Sequence, residues 1–275
     1  MRSFTIAYEE QGRALVDILR GRGFSRRLIT KLKRTEGGIL LNGRAARVNE
    51  RVPVGSVITV NEVQGEAPAP NGELSADILY EDDDVIVFDK PSGMPVHQSI
   101  KHRSDTLANY FAYVCPDMTF RPVNRLDRDT CGCVAAAKSR YAANALQGSI
   151  SKLYCGLIPP TKLSGGRVCA PIARERESII LRCVRADGQY AATVWQVIKR
   201  YDSCALCEFI LETGRTHQIR VHMAHIGLPL IGDDMYGGDC TKRKGQALIC
   251  KELSFTSPTS GKVIRVSSKI EFDDK

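Results

Sequence analysis

The 275-residue sequence predicts an α+β protein: a domain built on a mixed or antiparallel β-sheet, preceded by a small α/β unit. Strand-like runs follow one another with only isolated helices between them, which argues against a doubly wound parallel sheet. Apolar residues make up 43% of the chain and charged residues 25%, a globular balance that excludes collagen, coiled coil and wholesale disorder. Positive charge is concentrated at one end: residues 1–62 hold 12 Lys and Arg against 6 Asp and Glu, most of the net +8. Such a concentration suits a polyanionic partner, nucleic acid or an anionic membrane surface.

Residues 1–62 read as one compact unit. Leu15, Ile18 and Leu19 have helical spacing, and Ser25 is a good N-cap for a second helix with Leu28, Ile29 and Leu32 facing inward. Arg26, Arg27, Lys31, Lys33 and Arg34 belong to the same helix and cannot share its apolar face. Short strands are expected at 38–41 and 57–60, the first followed by the turn Asn42-Gly43. Residues 63–73, with two prolines and no periodicity, read as a linker that lets the basic unit move independently. The larger domain, 74–275, begins with strands at 78–80 and 85–88 around an acidic turn. Ser139 can cap a helix through Leu146, closed by Gly148. Residues 190–200 and 203–211 read as β-rich, and Thr216 can cap a helix to Ile226.

No apolar run approaches the roughly 18 residues of a membrane span, and Glu9 and Glu10 interrupt the N-terminus before a signal-peptide core could develop. A cytoplasmic protein is expected, and in that reducing setting the ten cysteines are small core residues rather than a disulfide framework. There is no P-loop, no dinucleotide fingerprint after a strand and no zinc-deaminase signature. Cys204-x-x-Cys207, followed by His217 and His222, loosely matches a zinc finger. Its interval is short and its cysteines lie in a strand pattern, so no metal is assigned.

Three segments carry candidate chemistry. In Arg125-Leu126-Asp127-Arg128 an aspartate among arginines is favoured as the anion, which suits a nucleophile or base. In Ser151-Lys152-Leu153-Tyr154 a tyrosine follows a lysine. From Leu211 to His222 a glycine turn opens a helix that carries Arg220. Taken singly, each is better read as structural: a surface ion pair, a strand tyrosine, an arginine bound to a carboxylate for packing.

Together and in this order they resemble the RluA-type RNA pseudouridine synthases. Residues 78–82 through 89–97 are similar to the family's first block, Arg125-Leu126-Asp127 with Thr130 and Gly132 to its aspartate block. Lys152-Leu153-Tyr154 is similar to the tyrosine block, and residues 213–237 to its longest signature. The basic unit resembles the RNA-binding domain named after the fourth small-subunit ribosomal protein, which precedes such catalytic domains. Asn124 stands where the family usually has His, and Cys131 where it usually has Ser. The resemblance implies an isomerase that needs no cofactor or metal. It breaks the glycosidic bond of a uridine flipped out of its RNA and rejoins the uracil through carbon 5.

By the same resemblance Asp127 is the catalytic carboxylate, whether it attacks sugar or ring or removes a ribose proton, and Arg220 is its ion-pair partner. Tyr154 stacks near the uracil and helps take the proton from carbon 5. Ile219 packs beside the ring, and Arg125 braces the gap left by the flipped nucleotide. Arg26, Arg27 and Lys31 are expected to bind RNA backbone. Large-subunit ribosomal RNA is the first expected substrate and transfer RNA the second, with the chain acting as a monomer away from any membrane. A rival reading is a non-catalytic RNA-binding or ribosome-assembly factor, and the joint presence of Asp127, Tyr154 and Arg220 argues against it.

Overall fold

The computed structural model describes residues 2–61, 67–176 and 180–272. In the first segment the expected helices form as α1 (Leu15–Gly21) and α2 (Arg26–Leu32), and Ser25 Oγ accepts the Leu28 N–H at 3.2 Å. Six of their apolar side chains are buried against an antiparallel sheet of β1 (Arg2–Thr5), β2 (Ile39–Leu41), β3 (Arg44–Ala45) and β4 (Val57–Val60), ordered β1-β4-β2-β3. Asn42 at φ 48° and Gly43 at φ 80° give the pair of left-handed residues that a two-residue hairpin between β2 and β3 requires. Sequence reading had not found β1, because Arg-Ser-Phe-Thr holds a single large apolar residue; pairing with β4 makes it a strand. Arg26, Arg27 and Lys31 are exposed on α2, while Lys33 and Arg34, expected on the same helix, are exposed just past its end, where Lys33 is the C-cap.

The remaining residues build a nine-stranded sheet. Its first strands are β5 (Asp77–Glu81), β6 (Val85–Lys90), β7 (Cys131–Ala137) and β8 (Ser151–Ile158). They are joined by β9 (Gly165–Cys169), β12 (Ala192–Arg200), β13 (Ala205–Leu211), β14 (Leu248–Thr256) and β15 (Val263–Ser267). The order is β5-β6-β7-β14-β8-β13-β12-β9, with β15 also on β14, and only β7 and β14 run parallel. Every residue of β6 and β7 is buried, so these strands read as continuous apolar or small runs, not as alternation. Helices α3 (Leu107–Val114) and α4 (Arg140–Leu146) pack on the sheet, and Ser139 caps α4 as expected. A separate hairpin, β10 (Ile172–Arg174) with β11 (Arg182–Val184), faces α5 (Gln218–His225).

Two expectations are corrected. Helix α5 does not start behind a Thr216 cap; it starts at Gln218, after His217 in the left-handed region at φ 56°. The Gln218 side chain ties the turn instead, its Oε1 accepting the Arg215 N–H at 2.9 Å and the Thr213 hydroxyl at 2.7 Å. The basic unit is also not free of its neighbour. Arg2 pairs with the buried Asp84, Phe24 and Phe4 meet Tyr141 of α4 at 4.9 and 6.5 Å, and Asn144 Nδ2 donates to the Gly23 carbonyl at 2.8 Å. Of the expected linker, residues 63–66 lie outside the described residues, while Ala69 and Asn71 hydrogen-bond to Asn109 on α3. Among the described residues no helix is long and apolar enough to cross a membrane.

Candidate active site

Asp127 lies in the turn that leads into β7, where the Thr130 N–H returns to the Asp127 carbonyl at 3.2 Å. Side chains hold this turn from behind. The buried Lys90 Nζ donates to the carbonyls of Pro91, Met94 and Arg128 at 2.8, 2.8 and 2.9 Å. Ser92 Oγ donates to the Asp129 carbonyl at 3.0 Å, and Gln246 Nε2 to Thr130 Oγ1 at 2.9 Å. Burial pushes the Lys90 amine down to about 8, with Cys131, Asp129 and Asp127 working against the shift. Gly132, at φ 100°, is the second residue of β7 and stands where a Cβ would meet the Cys250 carbonyl oxygen at 2.4 Å, so no other residue lets β7 approach β14 this closely.

Arg220 projects from α5 and is 4% exposed. Its Nε and Nη2 donate to the two oxygens of the wholly buried Asp233 at 2.7 Å each, a bidentate pair, and Nη1 donates to Asp127 Oδ2 at 3.0 Å. Burial alone would lower the Arg220 guanidinium, but Asp233 and then Asp127 raise it above its ordinary value. The arginine is therefore a fixed cation, aligned by one carboxylate and presented to the other.

Tyr154 on β8 is 7% exposed, and burial first, then Cys250 and Asp127, push its hydroxyl well above the usual value. It is a neutral phenol at neutral pH. Tyr154, Ile219, Arg125, Asp127 and Arg220 line one pocket together with His217. Arg26, Arg27 and Lys31 do not line it; they stay on the exposed face of α2. Asn124 is buried and bridges the Cys133 carbonyl and the Ala135 N–H at 3.0 and 2.9 Å, and Cys131 Sγ donates to the Leu248 carbonyl at 3.6 Å. Both residues that depart from the family pattern thus hold backbone.

The sequence does not single out Asp233, Lys90 and Tyr236, and it offers His217 only as a loose zinc-ligand match. A signal for Asp233 is present: a buried arginine needs a carboxylate to pair with, and an aspartate pair follows at 233–234. The zinc reading gains no support. Both ring nitrogens of His222 are engaged, by Thr193 Oγ1 and the Ala170 carbonyl at 2.9 Å each, and among the described residues no group of three potential ligands converges.

Comparison with known proteins identifies the family. Residues 84–225 match the family model described as RNA pseudouridylate synthase. A ribosomal large subunit pseudouridine synthase D of Xanthomonas campestris is 35% identical over 261 residues, 86% of this chain and 79% of the relative. An uncharacterized RNA pseudouridine synthase of Bacillus subtilis, YjbO, is 35% identical over 263 residues, 91% and 93% of the two chains. Among solved structures, human RNA pseudouridylate synthase domain containing 1 superposes with a TM-score of 0.61 at 23% identity, covering 73% of this chain and 86% of its own, a likeness of fold.

Proposed function

The chain belongs to the RNA pseudouridylate synthase family and is an isomerase that converts uridine to pseudouridine in RNA; from that premise we propose that Asp127 is its catalytic carboxylate and ribosomal RNA its substrate. The observation that carries the first part is Arg220. A buried arginine held bidentately by Asp233 extends its third nitrogen to Asp127 at the mouth of the pocket, so a carboxylate is oriented, with a fixed cation beside it, where a base could enter.

In the reaction the bond from N1 to the ribose breaks, the uracil turns, the bond from carbon 5 forms, carbon 5 gives up its proton and N1 gains one. A uridine inside folded RNA must first leave its stack to reach Asp127. Ile219 and Tyr154 offer the flipped ring an apolar wall. Because burial keeps Tyr154 neutral, contact with the ring is its first role, and any proton it takes from carbon 5 must pass on at once. Arg125, exposed beside the pocket, is placed to brace the RNA that the uridine has left.

Large-subunit ribosomal RNA is favoured over transfer RNA by the substrate named in the Xanthomonas campestris relative and by the basic N-terminal unit, which we assign to RNA binding through Arg26, Arg27 and Lys31. We take the enzyme to act as a monomer in the cytoplasm, where such RNA is met. RNA tritiated at carbon 5 of uridine, from cells lacking the protein, tests the reading. The wild type releases tritium and Asp127→Asn releases none while still binding RNA; an active Asp127→Asn would overturn the assignment. Mapping the modified site decides between ribosomal and transfer RNA.

A further inference from the structure

His217 belongs to no role assigned so far, yet it is the residue of the pocket under most local constraint. It is one of three described non-glycine residues at positive φ, at 56°, a conformation that costs about 1–2 kcal/mol for an L-residue and persists only where its surroundings impose it. Its carbonyl accepts the Val221 N–H at 2.9 Å as the first bond of α5. Its ring stands edge-on to Tyr236, with centroids 5.7 Å apart at 83°. Nδ1 lies 2.7 Å from the Tyr236 hydroxyl, and Nε2 lies 3.7 Å from Asp127 Oδ2, the oxygen that also receives Arg220.

The hydrogen positions follow from the partners. The backbone N–H of Arg182 on β11 donates to the Tyr236 hydroxyl oxygen at 3.0 Å. The hydroxyl proton is then free to point at His217 Nδ1, which accepts it. An imidazole that accepts at Nδ1 carries its own proton on Nε2, facing the Asp127 carboxylate. The opposite tautomer would set the Nε2 lone pair against an anion and leave the Tyr236 proton without this acceptor.

We propose that His217 is a positioning residue for Asp127, held by Tyr236 and the Arg182 backbone as the neutral tautomer that turns Nε2–H toward the carboxylate, 3.7 Å away, as the positive end of a dipole beside the hydrogen bond from Arg220. The inference rests on the assignment of Asp127 as the catalytic carboxylate. Its consequence is a pH dependence. Burial lowers the proton affinity of His217, Arg220 and Arg182 oppose a further cation, and Asp127 and Asp233 work the other way, with the net shift downward. Arg125 and Arg215, which line the same pocket, add to the positive side. When the ring does gain a proton at acid pH, Nδ1 becomes a donor, the Tyr236 bond must reverse, and a full cation sits beside Asp127, weakening it as base or nucleophile.

The test is the pH profile of kcat for tritium release by the full-length enzyme. The wild type is expected to lose activity toward acid with a midpoint below the ordinary imidazole value of about 6.5. Tyr236→Phe removes the donor that favours the neutral ring, so the midpoint rises by about half a unit or more. His217→Gln replaces the imidazole by an amide that does not titrate, and loses the limb. Imidazole nitrogen spectra of the folded wild type give a readout apart from activity: His217 should show a protonated Nε2 and a bare Nδ1. A protonated Nδ1 at neutral pH, or a midpoint unmoved in Tyr236→Phe, would overturn the proposal. Asp127→Asn in the same series separates the two ideas: if inactive, a failure of the pH shift counts against His217 alone, and if active, the catalytic assignment falls and takes this proposal with it.

Discussion

At the scale of single residues the site turns on how one buried cation is shared. Arg220 and Asp233 are 4% and 0% exposed as side chains, so neither is stabilised by water, and each depends on the other. Breaking such a pair by removing one partner typically costs about 3–5 kcal/mol, because the survivor is left charged and buried. Asp233→Ala should therefore lower unfolding free energy by an amount in that range in denaturant titration and also lower kcat, since Arg220 loses the bidentate hold that aims it at Asp127. A variant within about 1 kcal/mol of wild type would mean the guanidinium finds other partners. Asp127, Tyr154, Ile219 and Arg220 were legible in the sequence because their segments resemble a family in a fixed order. Asp233 and His217 lay inside the same signature, but their parts depend on which atoms meet across the pocket, and spacing alone does not carry that. Nothing in Arg-Thr-His-Gln announces a left-handed histidine.

At the scale of elements, local rules worked where the chain decides its own structure and failed where a distant partner does. Ser25 and Ser139 cap α2 and α4 through hydroxyls that accept the N–H three residues on, a contact contained in four consecutive residues. The start of α5 is set instead by Gln218, whose side-chain amide also reaches the Ala192 carbonyl on β12 at 3.0 Å, so the expected Thr216 cap never forms. Strand β1 likewise exists only through β4. Helix α2 carries its own prediction. Its apolar side is buried in the small core while Arg26, Arg27 and Lys31 stay exposed, the division of faces a backbone-binding helix needs. Replacing all three by Gln should leave the melting temperature nearly unchanged and weaken RNA binding across sequences. The slope of log affinity against log salt should become shallower by roughly 2–3 if each side chain neutralises one phosphate. An unchanged slope would place the RNA elsewhere on the molecule.

At the scale of the whole molecule the question is whether the basic unit and the sheet domain act as one body, and the contacts between them answer in physical terms. A proline-containing linker by itself predicts independent motion. What overrides it is a small set of specific contacts. The Asp84 carboxylate, 1% exposed, lies in the turn between β5 and β6 and is satisfied by Arg2 from the basic unit and by the Thr259 hydroxyl. Around that pair, the Arg2 guanidinium lies 4.1 Å from the centre of the Tyr141 ring, and Phe24 meets the same ring from the other unit. Separating the units would return a carboxylate and three aromatic surfaces to water, so docking has both a polar lock and an apolar seat. We predict that α2 keeps a fixed bearing relative to the pocket, so that an RNA gripped by both must match that spacing. The double variant Arg2→Ala, Tyr141→Ala removes lock and seat together. Backbone relaxation by NMR should show one rotational correlation time for both units in the wild type and a shorter one for residues 2–61 in the variant. The variant should also lose affinity for long structured RNA more than for a short uridine-containing fragment, which needs only the pocket. If residues 2–61 already tumble separately in the wild type, the docked arrangement does not govern how this enzyme meets its RNA, and the linker does.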